Sequence, residues 1–425
     1  MGSKLISENI VCRVCGASRL TSILSLGEQC VTNFVDNPSA DVNKAPLDLV
    51  LCDPENGGCG LLQLKHTFDH DVLYRKYWYR SGMSTTMKKA LADITDAAEK
   101  TLRLQKDDIV VDIGANDGTL LESYKTSELI RVGFEPSNLW EDGAKKSGLR
   151  MVHNYFTYES YKNEFDDKKA RVITSIAMFY DLEQPNRFVE DIKRVLDREG
   201  LWIIQMNYLG LMIDNNTFDN ISHEHLEYYS LQSLEYLLNK HELEAFDVEL
   251  NDVNGGSYRI YIRNNGSNIT YREGGEKRLD DLRAKEKSSG YDKKKIYEEF
   301  AKRIVKNRNI LVDFLKAEVK NGKKIFIYGA STRGLVVLQY ADITNKLIEA
   351  ATDKSPEKWG KYIVGTGIPI ISIEEYRKRN PDYLFVLPYH FIKEIYNQEI
   401  EFINNGGKMF VAIPELKVYD KKSGL

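Results

Sequence analysis

The chain has no cysteine after position 59, no apolar run near the roughly 20 residues that cross a bilayer, and no excess of either charge. Each absence excludes a class of protein. All five cysteines crowd the start of a 425-residue chain, which argues against a secreted protein cross-linked throughout and makes the reducing cytoplasm the expected compartment. The opening residues, MGSKLISENIVC, lack the apolar core of a secretory signal, and no membrane partner is expected. Basic and acidic residues number 59 and 63, a formal net charge of −4, and no basic stripe interleaved with aromatics is present, so nucleic acid is not an expected partner. The oligomeric state is left open, a monomer being compatible with everything read here. The length is that of about two to four domains.

Apolar periodicity divides the chain into four regions. Residues 1–75 carry the cysteines and alternate short apolar runs (LTSILSLG, PLDLVLC, CGLLQL) with turn residues, the pattern of a small β module. Residues 76–265 begin with a helix over about 83–104 and then alternate buried-strand runs (DIVVDIG, IRVGFEP, ARVITSIAM, LWIIQMNYL) with amphipathic helices, one of which is expected to stop at Gly200. AFDVEL and GSYRIYIRN read as a closing antiparallel pair. Residues 266–320 read as a charged helical linker, and 321–425 restart the strand–helix rhythm with KKIFIYGAS, LIEAATDKS, DYLFVLPYH and KMFVAIPEL. The fold class expected is α/β: a zinc-binding β module, a central Rossmann-like domain and a second, smaller doubly wound domain.

Cys12 and Cys15 form a Cys-x2-Cys knuckle suited to tetrahedral zinc, and Cys52 and Cys59 complete a four-thiolate site although six residues separate them. The Pro and Gly of CDPENGGC let that loop fold back; Cys30 is the spare thiol, with His66 and His70 as remote substitutes, and a set of buried free thiols is the competing reading. Such a site is structural, having no open coordination position.

In VVDIGANDGTLL a strand ends at Asp112, Gly114 and Gly118 shape a tight turn around Asn116, and a helix follows, while Glu135 ends the next strand, where it can accept from ribose hydroxyls. This spacing differs from GxGxxG and resembles the S-adenosylmethionine (SAM) loop of class I methyltransferases. In HEHLEYYS, His223 and His225 are read as facing one way on an extended segment with Glu224 opposite, and Tyr228 and Tyr229 as hydroxyl donors. DVNGGSYRIYIR offers paired glycines and Arg259 for an anionic group, and IYGASTRG is a second strand–turn–helix with Ser331 and Arg333 at a helix start suited to phosphate, or simply a structural turn.

Taken in order, these motifs, with YRSGMST (Tyr79–Thr85), WGKYIVGTGIPI and LPYH, resemble the nucleotide-sugar C-methyltransferases of deoxysugar biosynthesis over essentially the whole chain. That resemblance implies SAM bound by the middle domain and a nucleotide-linked keto-sugar held between the middle and C-terminal domains, with methylation of the carbon next to the ketone. It implies catalytic roles for Glu224, His225, the expected base, and Tyr79. The reaction's need for an oxyanion donor adds His223 as a candidate, and Ser81, Tyr180, Tyr229, Arg259, Ser331 and Arg333 are the expected substrate contacts. Ser222 stands where the family has Tyr before HEHL, and Tyr180–Asp181 where many members carry His. An O-methyltransferase, an RNA methyltransferase with a zinc module, and an inactive sugar-binding scaffold are the alternatives; the charge balance opposes RNA, and the intact Asp112, Glu135 and glycines oppose the scaffold.

Overall fold

A computed structural model describes residues 5–74 and 80–424. Its centre is the run Ile109–Ile113, buried along its whole length as a strand covered on both faces must be. Seven strands form that sheet in the order Leu243–Asn251, Ser257–Asn264, Leu196–Asn207, Ala170–Ile176, Ile109–Ile113, Ile130–Phe134, Leu149–Val152. Only Ser257–Asn264 runs against the rest, so the closing antiparallel pair is present. Strand order reverses between Ile109–Ile113 and Ala170–Ile176, which opens a crevice at their carboxyl ends, the place where open α/β sheets bind ligands. Helix Thr85–Thr101 matches the expected one; the Ser84 hydroxyl accepts from the Met87 N–H, and Leu91, Ile94, Ala97 and Ala98 face inwards.

One expected boundary is corrected. Helix Pro185–Val195 ends before Gly200, and strand Leu196–Asn207 begins at once. Gly200 sits where that strand shifts register against Ala170–Ile176, and a Cβ there would lie 2.9 and 3.1 Å from the carbonyl oxygens of Asp197 and Ala170. Glycine therefore closes a bulge rather than a helix. In sequence the two uses look alike, because basic residues precede Gly200 in either case.

The C-terminal sheet runs Lys417–Tyr419, Lys408–Val411, Tyr383–Val386, Ile325–Tyr328, Ala350–Thr352, Ile368–Ile371, Tyr362–Ile363 and, from the N-terminal module, Phe34–Val35. The five inner strands are parallel and contain the four runs expected. In the N-terminal module Leu20–Cys30, Lys44–Cys52 and Leu62–Leu64 pair antiparallel, and Glu227–Tyr228 of the middle region adds a fourth strand. The module thus lends a strand to one domain and takes one from the other.

The charged segment forms two packed helices, Gly275–Ser289 and Lys294–Lys320. Fully buried Asp247 accepts from Arg272 and, through both oxygens, from Arg278, which ties the first helix to strand Leu243–Asn251. Buried Glu286 of the same helix accepts from the Leu231 and Gln232 N–H groups at 2.6 and 3.0 Å and from the Tyr208 hydroxyl at 2.8 Å. It occupies the positive end of helix Leu231–Lys240, where an anion is favoured. Among the described residues no helix is long and apolar enough to cross a membrane. Glu286→Ala strands three buried donors and should cost about 2 kcal/mol or more, read as a lowered midpoint in thermal unfolding; an unchanged midpoint would show that this carboxylate does not anchor the helix.

Candidate active site and metal centre

The four thiols expected to bind zinc come together: the Sγ atoms of Cys12, Cys15, Cys52 and Cys59 all lie within 4.8 Å of one another. Cys12–Cys59 and Cys15–Cys52 are separated by 3.6 and 3.3 Å. A tetrahedron with Zn–S bonds of about 2.3 Å has edges of about 3.8 Å, so the donor set fits zinc with little adjustment. The widened second pair is explained by its loop. Asp53 caps a 3-10 turn at Pro54–Asn56, Gly57 turns left-handed at φ 81°, and a Cβ on Gly58 would sit 2.5 Å from the Cys52 carbonyl. The extra residues are consumed in that turn and Cys59 returns to its partners. Cys30 lies elsewhere, its N–H donating to Gln339 Oε1 at 2.8 Å. His66 and His70 face Asp48 and Glu183, and neither joins the cluster.

Arg13, on the knuckle between Cys12 and Cys15, carries the metal site's geometry inwards. Its guanidinium donates to Gln63 Oε1 at 3.0 Å, to the Leu64 carbonyl at 2.6 Å and to Thr67 Oγ1 at 2.9 Å, and lies 4.0 Å from buried Glu227. Burial pushes the Glu227 carboxyl well above its ordinary range, and the Arg13 charge opposes this.

At the crevice of the central sheet, Gly114 and Gly118 take φ of 71° and 74°, so the expected turn is present and needs glycine at both. Glu135 accepts from the Asn116 and Ser137 N–H groups, both at 2.8 Å, which fixes its carboxylate beside the turn. Burial raises the Asp112 pKa to about 7, with the Thr174 hydroxyl at 2.6 Å opposing and Glu135 adding to the rise. Two carboxyls facing a glycine-lined turn fit SAM, which offers ribose hydroxyls as donors and carries a cationic sulfonium. The YRSGMST segment lies over this loop: the Ser81 N–H donates to Asn116 Oδ1 and the Gly82 N–H to Asp117 Oδ2. Ser81 thus meets the SAM loop, and Tyr79 lies outside the described residues.

The HEHL block departs from the extended segment expected. The His225 N–H bonds the Ser222 carbonyl in a turn, so the two imidazoles part. His223 Nε2 meets the Ala45 carbonyl at 2.9 Å and its ring lies beside Phe68, which anchors it to the N-terminal module. His225 Nδ1 lies 2.7 Å from the Asn220 carbonyl. A carbonyl only accepts, so this contact assigns the proton to Nδ1 and leaves the Nε2 lone pair to take another. Burial pushes the His225 pKa down to about 4; the Asn220 carbonyl opposes this and the Arg333 charge adds to it, so the ring is neutral at pH 7. Burial also raises the Glu224 pKa to about 7.

Around His225 stand Tyr180, whose ring meets it edge-on at 4.4 Å, and a cavity of about 10 Å³ lined also by Asn207, Tyr208, Glu227 and Tyr228. That volume admits about one water, not a sugar. Arg333 of the C-terminal domain donates to Asp219 Oδ2 at 2.8 Å and to the Tyr389 hydroxyl at 3.1 Å. A Cβ on Gly255 would lie 3.2 Å from that hydroxyl, so Gly255, Arg333 and Tyr389 come together where the middle and C-terminal domains meet. The Ser331 side chain is engaged in capping helix Thr332–Tyr340, accepting from the Gly334 N–H at 3.0 Å.

Two further expected residues are buried. Arg259 donates to Gln205 Oε1 and Asp93 Oδ2, both at 2.9 Å, so its guanidinium is already held by side chains of the central sheet and of helix Thr85–Thr101. Tyr229 is fully buried, packed on Phe179 with ring centroids 5.3 Å apart, and its hydroxyl meets no partner among the described residues. Residues not singled out from the sequence are Asp219, Asn220, Asn207 and Tyr389. The second Asp of DNNTFDNIS, just ahead of HEHL, and the Tyr of LPYH after a strand beside IYGASTRG were the available signals.

Comparison with known proteins joins these parts. Residues 12–74 match a zinc binding domain, 83–248 a methyltransferase domain and 252–414 the C-methyltransferase C-terminal domain. C-methyltransferase NovU of Streptomyces niveus is 30 % identical over 422 residues, spanning 97 % of this chain and 98 % of that protein. The chain belongs to the C-methyltransferase family. Solved structures with a local likeness include a SAM-dependent methyltransferase from Clostridium acetobutylicum ATCC 824, at 12 % identity and TM-score 0.33 over 42 % of this chain and 92 % of that one. Another is the plantazolicin methyltransferase BpumL in complex with SAH, at 13 % identity and TM-score 0.33 over 41 % and 82 %. Neither likeness is close enough to carry an argument. The family and the loop geometry make SAM the methyl donor of this C-methyltransferase, and the four-thiol cluster holds its structural zinc.

Gly58→Ala should lower bound zinc well below one per chain, measured by elemental analysis of the purified protein, because the new methyl displaces Cys59 from the other three thiols. A full complement of zinc in that variant would show that the loop can relax around it.

Proposed function

We propose that this C-methyltransferase acts on a carbon next to the ketone of a nucleotide-linked keto-deoxysugar, with His225 as the base. The observation that carries the reading is the 2.7 Å contact from His225 Nδ1 to the Asn220 carbonyl, which leaves Nε2 as an acceptor in a buried ring that is neutral at pH 7. A sugar carbon becomes nucleophilic only when a neighbouring ketone acidifies its C–H bond and a base removes the proton. SAM supplies the electrophilic methyl. His225 Nε2 takes the proton, and a hydroxyl donor on the substrate side of the ring stabilises the enolate oxygen; the Tyr389 hydroxyl, beside Arg333, is suited to this. Tyr79, which the family resemblance implies, would add a further donor.

The sugar lies, in this reading, beside Gly255, Arg333 and Tyr389, since the cavity lined by Tyr180 and Asn207 is too small. The nucleotide extends over the Gly329–Gly334 turn of the C-terminal domain. There Gly329 has φ 84°, helix Thr332–Tyr340 begins, and Asp353 ends the adjacent strand, the arrangement that receives a ribose and a pyrophosphate in dinucleotide folds. The four regions act as a zinc module over 1–75, a SAM domain over 76–265, packed helices over 266–320 and a nucleotide-sugar domain over 321–425. A cluster of four cysteine thiols suits a reducing cytoplasm.

Incubation with labelled SAM and a panel of nucleotide keto-sugars tests the reading: label should appear on carbon. Label appearing only on oxygen, or on none of the panel, would overturn it. His225→Ala should keep SAM affinity by calorimetry and lose about 10²-fold or more in turnover; undiminished turnover would remove His225 as the base. The pH profile assigns the group independently. A base must be unprotonated, so kcat/KM should hold as pH falls through 6.5 and decline only towards the His225 value of about 4. A decline centred near 7 that vanishes in Glu224→Gln would transfer the role to Glu224, whose pKa is about 7.

A further inference from the structure

The polar stretch ahead of HEHL is bound to the C-terminal domain at three points. Arg333 donates through both Nε and Nη2 to Asp219 Oδ2 at 2.8 Å, the Phe218 ring meets Tyr340 edge-on with centroids 5.9 Å apart, and Asn216 Nδ2 donates to the Pro414 carbonyl at 3.4 Å. Phe218–Asn220 is a single 3-10 turn, and these three contacts tie it to the C-terminal domain. The residue after Asp219 is Asn220, whose carbonyl holds His225 at 2.7 Å and accepts more weakly from the Tyr228 hydroxyl at 3.4 Å. The Asn220 side chain is held within the middle domain, accepting from Asn207 and donating to Thr217. Asp219 itself is 2 % exposed, and its Oδ1 meets no hydrogen bond among the described residues. Its charge is compensated from across the domain boundary, by the Arg333 fork.

We infer that Asp219 and Arg333 form a positioning pair: docking of the C-terminal domain on Asp219 aims the Asn220 carbonyl, and through it the proton-accepting nitrogen of His225. This rests on the reading of His225 as the base. The physical reason is leverage. The imidazole can rotate about its side-chain bonds, and the Nδ1 contact to one carbonyl is what fixes its plane. That carbonyl belongs to a turn with no ladder of its own, held by Asn207 on one side and by Arg333 through Asp219 on the other, so loss of the Arg333 anchor lets the carbonyl, and the ring with it, shift. Misplacement of a reacting group by about 1 Å can cost 10²-fold in rate. The domain proposed to hold the nucleotide end of the substrate thereby also helps to aim the base that acts on the sugar end.

The test is a double-mutant cycle on the full-length, zinc-loaded protein, with SAM affinity and thermal unfolding as controls. Asp219→Asn should lower kcat by about 3- to 30-fold, the range of coupling carried by such networks, while KM for the nucleotide keto-sugar and SAM affinity stay unchanged. In the His225→Ala background the same substitution should lower kcat no further, since the group it positions is gone. Phe218→Leu loosens the same turn without altering charge, and should behave alike in the cycle if Asp219→Asn proves unstable. A loss that persists in full in the His225→Ala background, or a rise in KM with kcat intact, would overturn the inference while leaving His225 as the base. Full activity of His225→Ala would overturn the base reading itself, and the inference with it.

Discussion

Every backbone group in the stretch 216–228 needs a partner, and the stretch contains only a 3-10 turn and two residues of strand with which to provide them. That constraint organises the molecule. The Leu64 N–H donates to the Leu226 carbonyl, the Leu226 N–H to the Tyr180 carbonyl, and Glu227–Tyr228 pair with Gln63 and Leu62. His223 reaches the Ala45 carbonyl and Asp219 meets Arg333. The loop is satisfied from the N-terminal module, the central sheet and the C-terminal domain at once, so His225 is in place only where all three meet. This gives the zinc its purpose although no chemistry takes place on it. It stiffens the knuckle that carries Arg13, and Arg13 grips the strand against which Glu227–Tyr228 pair.

Burial is the second shaping force. Loss of hydration pushes the Asp112 and Glu224 carboxyls up and the His225 imidazole down. For a carboxyl this hinders ionisation; for an imidazole it keeps the lone pair available. Arg333 acts in the same direction on His225, and its own charge is balanced by Asp219. The polarity of the site thus favours a neutral imidazole at position 225.

Much of this was legible in the sequence because local rules held. Continuous apolar runs mark strands covered on both faces, and Ile109–Ile113 and Ile325–Tyr328 are such strands. Glycine at 114 and 118 foretells a turn because few other residues take those dihedral angles. The cysteine spacing foretold the metal cluster even with the second pair widened. What failed was whatever depended on a distant partner. His223 and His225 share a face only if the segment is extended, and the partners that bend it, Ala45 and Asn220, are recognised only in the fold. Arg259 looks available until Asp93 and Gln205 are seen beside it. Gly200 looks like a helix stop because nothing local distinguishes a stop from a bulge.

Strand Phe34–Val35 pairs with Tyr362–Ile363, so a segment made early in synthesis completes a sheet made last. Domains generally fold as units from the N-terminus while the chain is still emerging, and contacts distant in sequence form slowly. In the folded protein Phe34–Val35 covers an edge of that sheet that would otherwise invite another chain. The module that opens the chain is also the piece that seals it, which ties the parts of this methyltransferase into one unit of biosynthesis as well as one unit of catalysis.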